Sequence, residues 1–193
     1  MGTRRAAWRV LSSIQKKENA KGNQENVQKV MTYKGKIESE LTNICQDILD
    51  LLDEHLVPNS STDEGKVFFN KMKADYYRYI AEFASQENRN TAAKKAQNAY
   101  EEASGLAKTS LSKTHPMMLG LALNHSVFMY EIMQNPDIAC RMARQAFDEA
   151  IADLDTVQDC YYKDATLIMQ LLRDNLLLWT SELAEDDAAP PKA

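Results

Sequence analysis

The segment Lys71-Met-Lys-Ala-Asp-Tyr-Tyr-Arg-Tyr79 carries the residue types best suited to chemistry in this chain of 193 residues. On a helix, Lys71, Asp75 and Arg78 fall at i, i+4 and i+7 and share one face, with Tyr79 beside it. A guanidinium offers a planar fork of donors that fits a phosphate dianion, and a tyrosine hydroxyl can donate one more. The same spacing also suits a surface ion pair of Asp75 with Lys71 or Arg78, which would contribute little. Two amides stand in apolar helical surroundings: Asn124 within Gly120-Leu-Ala-Leu-Asn-His-Ser-Val127, and Asn175 four residues before Trp179. An amide so placed either satisfies a neighbouring backbone or holds the backbone of a ligand.

Signatures of catalysis and of cofactor binding are missing. The chain has no glycine-rich phosphate loop, no HExxH and no GxSxG. His55, His115 and His125 are scattered, and none lies at i, i+4 from another ligand type. Paired acids such as Glu101-Glu102 read as solvated. The expectation is a binding protein with no enzyme activity, no cofactor and no metal.

Composition narrows the class further. Hydrophobic residues make up 44% and charged residues 26%, which suits a globular chain with one sizeable core. Six glycines and five prolines are about half the usual share, which favours long helices. A net charge of −5 argues against sequence-independent nucleic-acid binding, which needs a broad basic surface. The three cysteines, Cys45, Cys140 and Cys160, are odd in number and form no CxxC pair, so a reducing, cytoplasmic setting is the simplest reading. The longest apolar run, Met117 to Leu123, is too short to span a bilayer, and no membrane partner is expected.

The elements that must position these residues are helices. Ile37, Leu41, Ile44, Ile48 and Leu51 recur at steps of 4, 3, 4 and 3, the stripe of an amphipathic helix over 33–57. Residues 66–84, 90–111, 116–134, 138–153 and 161–181 behave similarly. Polar breaks fall at 18–24, 58–65, 85–89 and 155–160. Pro116 and Asn135-Pro136-Asp137 carry helix-start signals. With the N-terminal segment, the spacing predicts an all-α bundle of about seven antiparallel helices, since short connections favour antiparallel neighbours. One domain is expected over 1–181, followed by an acidic, Ala- and Pro-rich tail over 182–193 that reads as disordered.

The first 17 residues carry Arg4, Arg5, Arg9, Lys16 and Lys17 and no acid. That composition fits an organellar presequence or a helix continuing from upstream.

Three stretches together resemble the 14-3-3 protein family. The run TLIMQLLRDNLLLWTS at 166–181 is similar to the family's C-terminal signature, with Leu177 unusual, and DYYRY, THPMMLGLALN and AFDEAIADLD match as well. The likeness covers residues 2 to about 181. It starts at GTRRAAWRVLSSI, which resembles the family's third helix, so the first two helices and the opening half of the third are expected to be missing. On this reading the Arg-rich start is an internal helix rather than a targeting segment.

The resemblance implies an all-helical fold with a concave groove, and an adaptor that binds phosphoserine or phosphothreonine in partner proteins. Arg5, Arg78 and Tyr79 match the phosphate-contacting residues, while the lysine that completes the family's pocket has no counterpart. Asn124 and Asn175 match the residues that hold the ligand backbone. Lys71, Asp75, Glu131 and Trp179 match supporting contacts. Leu123, Val127, Leu167, Ile168 and Leu171 match the apolar wall. Members of the family dimerise, and Ala7, Val10, Leu11, Ile14, Tyr33, Lys36 and Glu40 match part of that interface. The missing helices would supply the rest, which makes a stable dimer doubtful. The alternative is a structural remnant with impaired dimerisation and little or no phosphopeptide binding.

Overall fold

A computed structural model describes residues 1–188. Seven α-helices carry the chain among the described residues: α1 (Gly2–Ala20), α2 (Gln24–Leu51), α3 (Asp63–Phe83), α4 (Gln86–Ser110), α5 (Pro116–Glu131), α6 (Pro136–Ala152) and α7 (Asp159–Ala188). A π-helical turn at Leu52–Leu56 continues α2, and a 3-10 turn at Leu154–Thr156 precedes α7. The described residues contain no strand.

The start signals act as the sequence suggests. Thr62 accepts from the Gly65 amide at 3.1 Å and caps α3. A Cβ at position 65 would come within 2.5 Å of Ser60 Oγ and 2.9 Å of Thr62 Oγ1, so a larger residue there would have to displace the two hydroxyls at the cap. His115 Nδ1 accepts from the Met117 amide at 3.1 Å, with Pro116 in the first turn of α5. Asn135 Oδ1 accepts from the Ile138 amide at 3.2 Å and caps α6.

Boundaries differ where propensity yields to packing. The expected loop over 18–24 shrinks to the turn at Lys21–Asn23, where Gly22 adopts φ 74°, open to glycine at no steric cost. Helix α2 begins nine residues earlier than its stripe suggests, because Val27 is buried where α2 packs on α1. The expected break at 85–89 is only Ala84 and Ser85. The tail expected to be disordered from residue 182 starts inside α7, which runs to Ala188. Residues 189–193 lie outside the described residues.

The core has two parts. Alanines at 92, 96, 99, 103 and 107 give α4 a smooth buried stripe, and α3 answers with Ala74 and Ala81. Small side chains let the two helices approach closely, and α3–α4 is the most extensive helix pair in the molecule. Tyr100, Leu121 and Phe128 complete this cluster. The second cluster joins Leu119 of α5, Ala139, Ala143 and Ala150 of α6, and Ala165, Met169, Leu172 and Trp179 of α7.

Helix contacts run in order: α1 on α2, α2 on α3, α3 on α4 and α5, α4 on α5, α5 on α6 and α7, and α6 on α7. The backbones of α1 and α2 do not come close to those of α5, α6 or α7 among the described residues. The array therefore stays open between α1 and α7; Arg5 of α1 reaches α3, and α3, α5 and α7 meet at Gly120.

Candidate functional site

Helix α3 sets out Lys71, Asp75, Arg78 and Glu82 at spacings of four, three and four, which places them on one face. Asp75 is only 7% exposed. Its Oδ2 accepts from Lys71 Nζ at 2.8 Å, and its Oδ1 accepts from the Tyr100 hydroxyl at 2.5 Å. Asn124 Nδ2 donates to both carboxylate oxygens, at 3.0 and 2.9 Å. Arg78 Nε donates to Tyr100 Oη at 3.2 Å, and its Nη2 lies 3.6 Å from Asp75. The ion pair that the spacing allowed does form, but not as a solvated surface pair: Asp75 and Arg78 are buried, the Lys71 side chain is 21% exposed, and all three belong to one network of hydrogen bonds and ion pairs.

Arg5 reaches this network from α1. It donates twice to Glu82, from Nη2 at 2.5 Å and from Nε at 3.2 Å. Glu82 also lies 3.6 Å from Arg78 Nη1 and 3.5 Å from Arg9 Nη2. The guanidinium carbons of Arg5 and Arg78 stand 3.8 and 4.8 Å from the centre of the Tyr79 ring. Two arginines from separate helices therefore converge on one aromatic ring and one carboxylate.

Burial opposes the charge on Arg78, but Tyr100, Asp75 and Tyr79 outweigh it and hold the guanidinium firmly protonated. Burial, then the Asp75 charge, raises the Tyr79 hydroxyl above its usual range, so it stays a donor at neutral pH. Burial and Asp75 act on Tyr100 in the same direction. Lys71, Arg78, Arg5 and Arg9 surround two carboxylates, Asp75 and Glu82, and leave two positive charges in excess. That excess suits a doubly charged anion.

The remaining residues singled out by the sequence sit as follows. Asn175 is half-buried on α7 and makes no hydrogen bond with a described residue. Leu123 and Val127 of α5 and Ile168 of α7 are half-buried and pack on the second core cluster. Leu167 and Leu171, one turn apart on α7, are 60% and 44% exposed. A Cβ built on Gly120 would lie 3.8 Å from Lys71 Cε and 4.0 Å from Ile168 Cδ1, so α3, α5 and α7 meet at that glycine. Glu131 is exposed at the end of α5. Trp179 is buried and stacks on Tyr130, with ring centres 4.7 Å apart, and the Tyr130 hydroxyl donates to Glu182. Trp179 is thus part of the second core cluster.

On α1 and α2, Val10, Ile14 and Tyr33 are exposed, Ala7 and Leu11 half-buried, and Lys36 exposed. Glu40 accepts from Arg4 Nε at 2.6 Å.

Sequence reasoning missed Glu82 and Tyr100. Glu82 was within reach, since it extends the Asp75–Arg78 face by one turn. Tyr100 lies 25 residues from Asp75 on another helix, and no local spacing marks it. Among the described residues, no group of side chains could hold a metal ion, and no helix is long and apolar enough to cross a membrane.

Comparison with known proteins places this geometry in a class. Residues 1–180 match the family model described as 14-3-3 protein. The chain is 58% identical over 186 residues to the 14-3-3-like protein GF14 iota of Arabidopsis thaliana, covering 96% of this chain and 69% of that protein. It is 57% identical over 185 residues to 14-3-3 protein 7 of Solanum lycopersicum, covering 96% of this chain and 73% of that one. A third relative, the 14-3-3-like protein C of Glycine max, is 58% identical over 186 residues, with 96% and 72% covered. The chain belongs to the 14-3-3 family. Membership supports an adaptor that binds phosphorylated proteins and is not an enzyme.

Proposed function

We propose that this protein docks phosphoserine or phosphothreonine segments of partner proteins on its open face, with Arg5, Arg78 and Tyr79 taking the phosphate. The observation that carries the reading is the convergence of both guanidinium groups on Tyr79 and Glu82. A phosphate at pH 7 carries about −1.5 to −2 charge and three acceptor oxygens. It would engage the forked donors of the two arginines and the Tyr79 hydroxyl. An unphosphorylated segment offers none of this, so discrimination comes from charge.

The peptide flanking the phosphate would run toward α5 and α7. Asn124 spends its amide hydrogens on Asp75, which leaves its carbonyl oxygen to accept from a peptide N–H. Asn175 would take the backbone on the other side. Leu167 and Leu171, exposed one turn apart, would receive apolar side chains. Val10, Ile14 and Tyr33 form an apolar surface on α1 and α2 suited to a second copy. Unpaired cysteines suit a cytoplasmic setting.

The test is a fluorescence-anisotropy titration of a labelled phosphoserine peptide beside its unphosphorylated twin. Selective binding of the phosphorylated form is expected. Equal binding of the two would overturn the reading and leave a helical scaffold without phosphate recognition.

A further inference from the structure

A cleft of about 380 Å³ opens between α4, α5 and α6. It shares no lining residue with the cluster around Arg5, Arg78 and Asp75. Its volume falls at the lower end of the range for small-molecule sites. Met118, Leu121 and Met142 give it an apolar, adaptable lining. Two acids and two lysines line it as well, and one of each, Lys113 and Glu149, already pair at 2.7 Å. The charges balance, so the cleft carries no net field to attract an ion.

His125 lies on its wall and is only 9% exposed. Its ring stacks on Tyr100, with centres 4.9 Å apart and planes 9° from parallel. Its Nδ1 is 3.5 Å from Ser104 Oγ, and its Nε2 has no partner among the described residues. Burial, against the pull of Glu101, lowers this imidazole to about 4, so it is neutral at physiological pH. With the Nδ1 proton assigned toward Ser104, Nε2 is a free acceptor in a nearly buried position. Nε2 is not cut off from solvent, and a ligand hydroxyl or N–H would take the place of water there.

We infer that this cleft is a second binding site, which takes a small uncharged amphipathic molecule whose apolar body rests on Met118, Leu121 and Met142 and whose hydroxyl or N–H donates to His125 Nε2.

Phenol serves as the probe and toluene as the control that lacks the donor. The imidazole C–H resonances of the full chain report binding, with exposed His55 as an internal reference. Phenol should move the His125 resonances saturably, with a dissociation constant of about 1–10 mM for so few atoms. Toluene should bind roughly fivefold more weakly, the value of one hydrogen bond. His125→Phe keeps a ring for Tyr100 to stack on and should bring phenol down to the level of toluene, with binding in this variant read from the Met118 and Met142 methyl resonances. Gly105 lines the cleft, and a Cβ there meets no atom within 4 Å. Gly105→Phe should therefore fill the cleft and abolish the His125 response, with the fold checked by its melting curve. No saturable shift at His125, equal binding of phenol and toluene, or an undiminished response in Gly105→Phe would each overturn the inference.

Discussion

Arg5 of α1 and Glu82 of α3, 77 positions apart in the chain, meet at 2.5 Å through a forked pair of hydrogen bonds. The Glu82 side chain is 9% exposed and that of Arg5 is 20% exposed, so the pair is largely withdrawn from water. Helix α1 buries no residue of its own, and this contact is the charged tie that draws it toward α3. In a double-mutant cycle of Arg5→Gln and Glu82→Gln, denaturant unfolding should show a coupling of about 1–2 kcal/mol. Additive effects of the two substitutions would mean that the tie is incidental.

Arg78→Lys keeps the charge and removes the fork. The lysine cannot hold Tyr100, Glu82 and a phosphate together. Affinity for a phosphoserine peptide should fall about tenfold or more, while the unphosphorylated twin is unaffected. Anisotropy titration of both peptides checks this. Wild-type affinity in the lysine variant would show that only net charge matters.

Tyr100→Phe deletes the hydroxyl that donates to Asp75 and accepts from Arg78. Lys71 and Asn124 continue to satisfy Asp75. The cost should be about 1–3 kcal/mol in chemical denaturation, the value of a buried hydrogen bond to a charged group. An unchanged midpoint would place the Asp75 network outside the folding core.

Stability should fall on acidification through His125. Its folded value of about 4 lies below the ordinary 6.5, so between those limits the unfolded chain binds the extra proton. The contribution is present in full above pH 6.5 and declines as pH drops toward 4, by on the order of 3 kcal/mol. Melting curves at pH 7 and pH 5 would show it as a slope that His125→Phe removes. A variant with the same slope as the parent would assign the acid sensitivity to other groups.

Thiol reactivity should separate the three cysteines. Cys45 is fully buried, and burial pushes its thiol up to about 12, while Cys160 is exposed. A thiol-specific reagent should modify Cys160 first, Cys140 more slowly, and Cys45 only after unfolding, as peptide mapping would reveal. Early labelling of Cys45 would mean that α2 opens locally.

Much of the fold was legible because its signals are local. The stripe Ile37, Leu41, Ile44 and Ile48 and the caps at Pro116 and Asn135 depend on neighbours within a turn or two. The start of α2 at Gln24 was not, because Val27 becomes a core residue only through α1. The Lys71–Asp75–Arg78 face was visible, yet its burial was not, since that depends on Tyr100 and Asn124 arriving from other helices. Arg5 entered by family likeness alone, and nothing in its surroundings marks it as a partner of Glu82.

Helix α5 gives Leu121 and Phe128 to one core cluster and Leu119 to the other. It works as a keystone: neither half of the molecule can come apart without stripping apolar side chains from the same sixteen-residue rod. The described chain should therefore melt in one concerted event, and damage near Phe128 would be felt as far away as Trp179.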